Sequence, residues 1–157
     1  MALYFLDSNI IIKYYYTEPG STWVRSIVDH RATGCFISEI AFPEVASALS
    51  QLHEHKRFGR RFLSGTFQRF EEEVVKGLFV SQLLTTEMLY HAAQLALGHA
   101  IKGYDAVQVA SAFVIQQNLS VPLIFVGGDK KALRVGSSVG LKTDNPFDHV
   151  MPEDQQR

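Results

Sequence analysis

LYFLDSNIII, residues 3–12, is an apolar run broken at Asp7 and resumed after Asn9. Residues 3–6 are too few for a helix and lack the alternation of a half-exposed strand, so they are expected to form a strand buried on both faces. Asp7 then emerges at that strand's carboxyl end, the edge where open α/β sheets place their ligands. Three further acids stand singly at the start or end of other expected elements: Glu44, Asp105 and Asp129.

The 157 residues suit one domain, large enough to bury roughly two-thirds of its unfolded surface without staples. Hydrophobic residues make up 46% and charged residues 20%, which excludes a disordered chain. The formal net charge of -1 excludes a globally basic nucleic-acid binder, so any such contact must come from a local patch. One cysteine, Cys35, excludes an internal disulfide framework and a cysteine-rich zinc site. There is neither a signal-like amino terminus nor an apolar stretch long enough to span a membrane, and the expected location is cytoplasmic.

Outward from Asp7, residues 10–16 are expected to form a short helix stopped by Glu18-Pro19-Gly20, with Ser21 capping the next one. That second helix would turn Trp23, Val24 and Ile27 to the sheet and Arg25, Asp29 and His30 to water. CFI, residues 35–37, is the second strand. Phe42, Val45, Ala46, Leu49 and Leu52 then follow at helical spacing, with Pro43 tolerated in the first turn. Glu44 shares that turn, with small Ala41 and Ala48 along its face. Residues 60–78 predict a helix weakened by Gly65, residues 78–83 a third strand, and Thr85 or Thr86 a cap for a helix running to about His99. Residues 103–119, GYDAVQVASAFVIQQNL, are apolar on nearly every helical face, and Asp105 opens this buried helix. PLIFVGG, residues 122–128, is a fourth strand ending at Asp129, and LKT, residues 141–143, a fifth. Strands alternating with helices predict a three-layer α/β/α domain around a parallel sheet of four or five strands. Residues 1–147 form that domain, and 148–157 a loose polar tail.

Parallel strands share a carboxyl-terminal edge, so Asp7 and Asp129 are expected to be neighbours there, within reach of Glu44 and Asp105. At an effective dielectric of about 20, two carboxylates roughly 4 Å apart repel by on the order of 4 kcal/mol. Bound cations make such a group reasonable, and oxygen donors without His or Cys suit Mg²⁺ or Mn²⁺ better than Zn²⁺. Each acid also has a plainer role: Asp7 and Asp129 as helix caps, Glu44 as a solvated helix residue, Asp105 as a cap or a partnered buried acid.

In this order FLDSNIIIKYYYTEPGS, EIAFPEVASAL, YDAVQVASA and FVGGDKKALRVGSSVGLKTDNP span nearly the whole chain, which resembles the PIN domain family, most closely its VapC-type toxin ribonucleases. The resemblance implies that Asp7, Glu44, Asp105 and Asp129 bind metal and carry catalysis, with Ser8 and Asn9 as supporting polar residues. It further implies Mg²⁺- or Mn²⁺-dependent endoribonuclease activity, a homodimer, and inhibition by a cognate antitoxin. One departure stands out: many members carry Thr or Ser two residues before the last Asp, where this chain has Gly127.

HEHKRFGRR, residues 53–61, offers Lys56, Arg57, Arg60 and Arg61 as contacts for an RNA backbone, against a solvated helix end. Tyr14, Tyr15, Tyr16 and Trp23 could stack bases, with core or dimer packing the stronger expectation. A haloacid-dehalogenase-like phosphohydrolase would need a second Asp where this chain has Asn9. A non-catalytic module binding RNA or protein draws its support from Gly127.

Overall fold

The structure, a computed structural model, describes residues 1–55 and 58–155. Five strands, β1 (Ala2–Leu6), β2 (Thr33–Ser38), β3 (Phe79–Gln82), β4 (Leu123–Val126) and β5 (Lys142–Asp144), form one parallel sheet in the order β3-β2-β1-β4-β5. Seven helices connect them: α1 (Ser8–Tyr15), α2 (Ser21–Val28), α3 (Ala41–Glu54), α4 (Arg60–Val75), α5 (Thr86–His99), α6 (Gly103–Gln117) and α7 (Lys130–Ser138). Two 3-10 turns, Pro146–His149 and Pro152–Gln155, follow. Strand order reverses between β1 and β4, which pair directly with Leu6 opposite Val126. That crevice lies just beyond the strand ends that lead to Asp7 and Asp129.

The alternation of β1 divides the core. Leu3 and Phe5 enter a cluster built with α5, α6 and α7, whereas Leu6, with Tyr4 beside it, joins a cluster built with α1 to α4. These are the outer layers of the expected α/β/α sandwich, and α6 is buried as its apolar surface requires. Thr85 caps α5 by accepting from the Met88 N–H at 3.2 Å. The expected cap of α2 shifts by one residue. Gly20, at φ 88°, takes that position, and the Ser21 hydroxyl instead donates to the Tyr16 carbonyl at 3.0 Å while accepting from the Glu18 N–H. A Cβ on Gly20 would lie 2.6 Å from the Pro146 carbonyl oxygen, so both conformation and packing demand glycine there. Arg25, expected to face water, binds back to the Tyr14 carbonyl at 3.1 Å and the Thr17 hydroxyl at 2.9 Å.

The end of the chain also departs from expectation. Residues 152–155 are not a loose tail, because Asp154 is buried and accepts from the N–H groups of Gly20, Thr22 and Met151 and from the Thr22 hydroxyl. Burial alone would raise its pKa. The Met151, Thr22 and Gly20 donors overcome that and hold it at about 2.

Candidate active site

Asp7 occupies the link between β1 and α1 and is 5% exposed. Its backbone is fully used: the N–H donates to the Val126 carbonyl at 3.0 Å, and its own carbonyl accepts from Ile10 at 2.8 Å. Although it stands at the cap position of α1, its side chain makes no capping hydrogen bond. The plainer role is therefore absent for Asp7. It is present for Asp129, whose Oδ1 accepts from the Lys131 and Ala132 N–H groups at 2.8 and 2.9 Å and so caps α7. Both bonds end on one oxygen, which fixes the carboxylate and leaves Oδ2 for another partner.

Glu44, in the first turn of α3, is held by two donors on Oε2, the Ser8 hydroxyl at 2.5 Å and the Gln108 amide at 2.7 Å. The same Gln108 amide nitrogen is 2.7 Å from Ser8 Oγ. Asp105 opens α6 one turn before Gln108, on the same face of the helix. The four acids share one field. Burial first, then Glu44 and Asp105, push Asp7 up from 3.8 to about 7, and burial followed by Asp129 raises Asp105.

Two adjoining cavities of ≈ 480 and ≈ 280 Å³ border two of the acids and share Asn9, Ala48 and Gln51 in their walls. The larger is bounded by Asp129, Lys13 and Phe147, and the smaller by Glu44 and Tyr104. Ala48 thus leaves the space that small neighbours of Glu44 were expected to leave. Among the described residues, no three His, Cys, Asp or Glu side chains lie close enough together to hold a metal ion by themselves. The set is an open one, and it fits a hard cation: a buried carboxylate without an ion pair among the described residues, and a buried Gln108 Oε1 without a hydrogen-bond partner. Mg²⁺ commonly keeps several waters and takes only one or two carboxylates directly, so a closed cage is not what it needs.

Gln108 and Lys13 were not among the expected site residues. Gln108 had a signal, an amide set among Val107, Val109 and Ala110 in the apolar middle of the helix. Lys13 is buried in the cleft wall with its ammonium on Glu18 Oε1 at 2.8 Å and the Pro19 carbonyl at 2.9 Å. Its local signal is that it is the one charge within IIIKYYY, residues 10–16.

Of the basic run, His55 lines the larger cavity, whereas the described arginines stand outside it. Arg60 and Arg61 open α4, exposed, and Arg61 lines a separate recess with Tyr15 and Arg69. Lys56 and Arg57 lie outside the described residues. The tyrosines and Trp23 pack as expected: Tyr14 donates to Asp29 at 2.8 Å, Tyr15 to Glu73, Tyr16 meets Phe58 edge-on, and Trp23 stacks on His149 at 4.2 Å. Gly127 is buried, and a Cβ there would sit 3.3 Å from the ring of Phe125. The missing hydroxyl thus accompanies a large aromatic that takes up part of its space.

A family model, the PIN domain, matches residues 4–135. Ribonuclease VapC45 of Mycobacterium tuberculosis (strain CDC 1551 / Oshkosh) is 30% identical over 118 residues, 73% of this chain and 78% of that protein. Ribonuclease VapC49 of strain ATCC 25618 / H37Rv matches to the same extent, at 30% over 118 residues. FitAcB from Neisseria gonorrhoeae has the same fold, with a TM-score of 0.63 at 19% identity over 92% of this chain and 98% of that one. VapBC2 from Rickettsia felis, solved bound to a DNA fragment from its promoter, gives 0.61 at 14% identity over 91% and 98%.

Proposed function

The chain belongs to the PIN-domain family, and on that premise we propose that it is a divalent-metal-dependent endoribonuclease, the toxin of a toxin-antitoxin pair. The observation that carries this reading is the buried, uncapped carboxylate of Asp7 at the β1–β4 crevice, raised to about 7 by burial and by the acids around it. Asp7, Glu44, Asp105 and Asp129 hold the metal, with Mg²⁺ or Mn²⁺ the ions that suit an all-oxygen set. When bound, the cation offsets the repulsion among the acids and supplies Lewis acidity for attack of water on a phosphodiester.

The chain's own residues orient this chemistry. Ser8 and Gln108 clamp Oε2 of Glu44 and leave its other oxygen unclaimed among the described residues, and the helix cap immobilises Asp129. Asn9 lies in the wall shared by both cavities, where it can meet substrate. Arg60 and Arg61, exposed at the start of α4, are candidate contacts for RNA phosphate, and Lys56 and Arg57 are further candidates by sequence. A homodimer inhibited by a cognate antitoxin, working in the cytoplasm, completes the reading; a toxin-antitoxin complex from Klebsiella pneumoniae with the same fold, at a TM-score of 0.61, supports the antitoxin.

The test is Asp7→Asn, assayed for cleavage and binding of the same RNA at matched salt and saturating Mn²⁺. Cleavage should fall by at least ~100-fold, about 2.7 kcal/mol of transition-state stabilisation, with affinity within a few-fold of the parent. Normal cleavage by the variant would overturn the assignment of this site. An inactive parent that still binds RNA would favour a non-catalytic module instead.

A further inference from the structure

The two lobes of the cleft each end in an exposed aromatic ring. Tyr104, 63% exposed, borders the lobe that contains Glu44 and immediately precedes Asp105. Phe147, 51% exposed, borders the lobe that contains Asp129. Glu44 borders one lobe and Asp129 the other, and Asn9, Ala48 and Gln51 form the wall common to both.

Phe147 follows a helix-breaking Pro146 in a 3-10 turn, and its N–H is fixed by Asn145 Oδ1 at 3.0 Å. The Lys13 ammonium lies 4.4 Å from the ring centroid. Because Lys13 is itself buried, it covers the inner face of the ring, and the accessible surface belongs to the outer face and edge. Gly128 lies beneath the ring, where a Cβ would make an ordinary contact with its edge at 3.4 Å. Tyr104, in the first turn of α6, projects from a helix whose following residues are buried, so its exposure is local.

We propose that Tyr104 and Phe147 are stacking platforms for the two nucleobases that flank the scissile phosphate. The proposal rests on the nuclease reading and adds to it two substrate-contacting side chains of this chain's own. Every nucleobase presents a π-face, so aromatic platforms grip a strand with little regard to sequence, and a paired base cannot offer that face. The acidic centre repels the backbone when metal is absent, and two apolar contacts outside the acids supply grip that does not depend on charge. A duplex would have to unstack at the cut to reach the same position.

The experiment measures affinity in the Asp7→Asn background, which prevents cleavage, using a short mixed-sequence single-stranded oligoribonucleotide, its blunt duplex, and a ribose-phosphate strand of equal length carrying abasic sites throughout. Tyr104→Ala and Phe147→Ala should each weaken binding of the single strand about 10-fold, within the range that one lost base–aromatic stack produces. On the abasic strand both variants should match the parent within about twofold, and Tyr104→Phe should restore binding. Phe147→Leu, which still covers Lys13 but has no ring, should behave as Phe147→Ala. Equal losses on the abasic strand, or no loss on the normal one, would overturn the proposal. A parent that cleaves no RNA but binds the single strand through these rings would sink the nuclease reading and leave the stacking proposal standing.

Discussion

The amide nitrogen of Gln108 lies 2.7 Å from Glu44 Oε2, tying the middle of α6 to the first turn of α3 across 64 residues of sequence. Glu44 therefore does not swing freely on a helix surface; it is presented to the cleft at a set orientation, with Ser8 as the second anchor. Partners that orient a metal-binding carboxylate commonly matter about 10–100-fold for affinity or activity.

Gln108→Leu should accordingly lower the cleavage rate by about 10-fold or more and weaken the thermal stabilisation gained on adding Mn²⁺. The cost in chelator should stay within about 1 kcal/mol, because the change also removes the partnerless Oε1. Cleavage kinetics and Tm with and without Mn²⁺ check this; full activity in the variant would show that Glu44 needs no anchor from α6.

Asp7 sets a pH dependence in the metal-free protein. Its folded pKa is raised from 3.8 to about 7, by burial and then by Glu44 and Asp105. Between those values the folded state keeps a proton that the unfolded chain has lost, so stability is greatest below the lower value and falls as pH rises through the upper one. The loss is on the order of a few kcal/mol. Asp7→Asn should flatten the decline, and Mn²⁺ should offset it by binding the deprotonated group. Tm in chelator across this range decides; a parent whose stability rises with pH there refutes the account.

Removing like charge elsewhere in the metal-free cluster should relieve repulsion. Asp105→Asn is expected to leave Tm in chelator unchanged or higher, while the Mn²⁺-induced shift shrinks. An undiminished shift would mean that Asp105 is not a metal ligand.

Asp154 carries the opposite pH sign. Its pKa is held at about 2, so its contribution is complete above the unfolded value near 3.8 and disappears as pH falls through about 2. Asp154→Ala should destabilise by ~2 kcal/mol at neutral pH, by leaving the Gly20, Thr22 and Met151 donors unpaired. Denaturant unfolding measures it, and a change under ~0.5 kcal/mol would mean that the chain end contributes little.

Gly127→Ser tests whether the family's hydroxyl can be restored. The new Cβ would press on Phe125, which is fully buried and stacked against Phe5, so a cost of ~1–2 kcal/mol is expected without a gain in cleavage. A stable and faster variant would show that Gly127 limits this enzyme.

The strands, the helices and the positions of Asp7 and Asp129 were legible in the chain because their causes are local. An apolar run bounded by an acid reads as a buried strand ending at an edge, and parallel strands must share that edge whatever their order. Lys13, Gln108 and Asp154 were not legible in this way. Gln108 reaches Ser8 across 100 residues and Asp154 reaches Gly20 across 134, and no periodicity within a helix or a polar tail encodes a partner so distant. The sheet order that sets β1 beside β4, and so brings Asp129 to Asp7, arises from how α1 to α4 and α5 to α7 divide between the two faces. Local pattern thus chose the elements and their chemically active ends, whereas the pairing of buried polar groups waited on tertiary packing, because a desolvated hydrogen bond takes its partner from whatever the fold brings within reach.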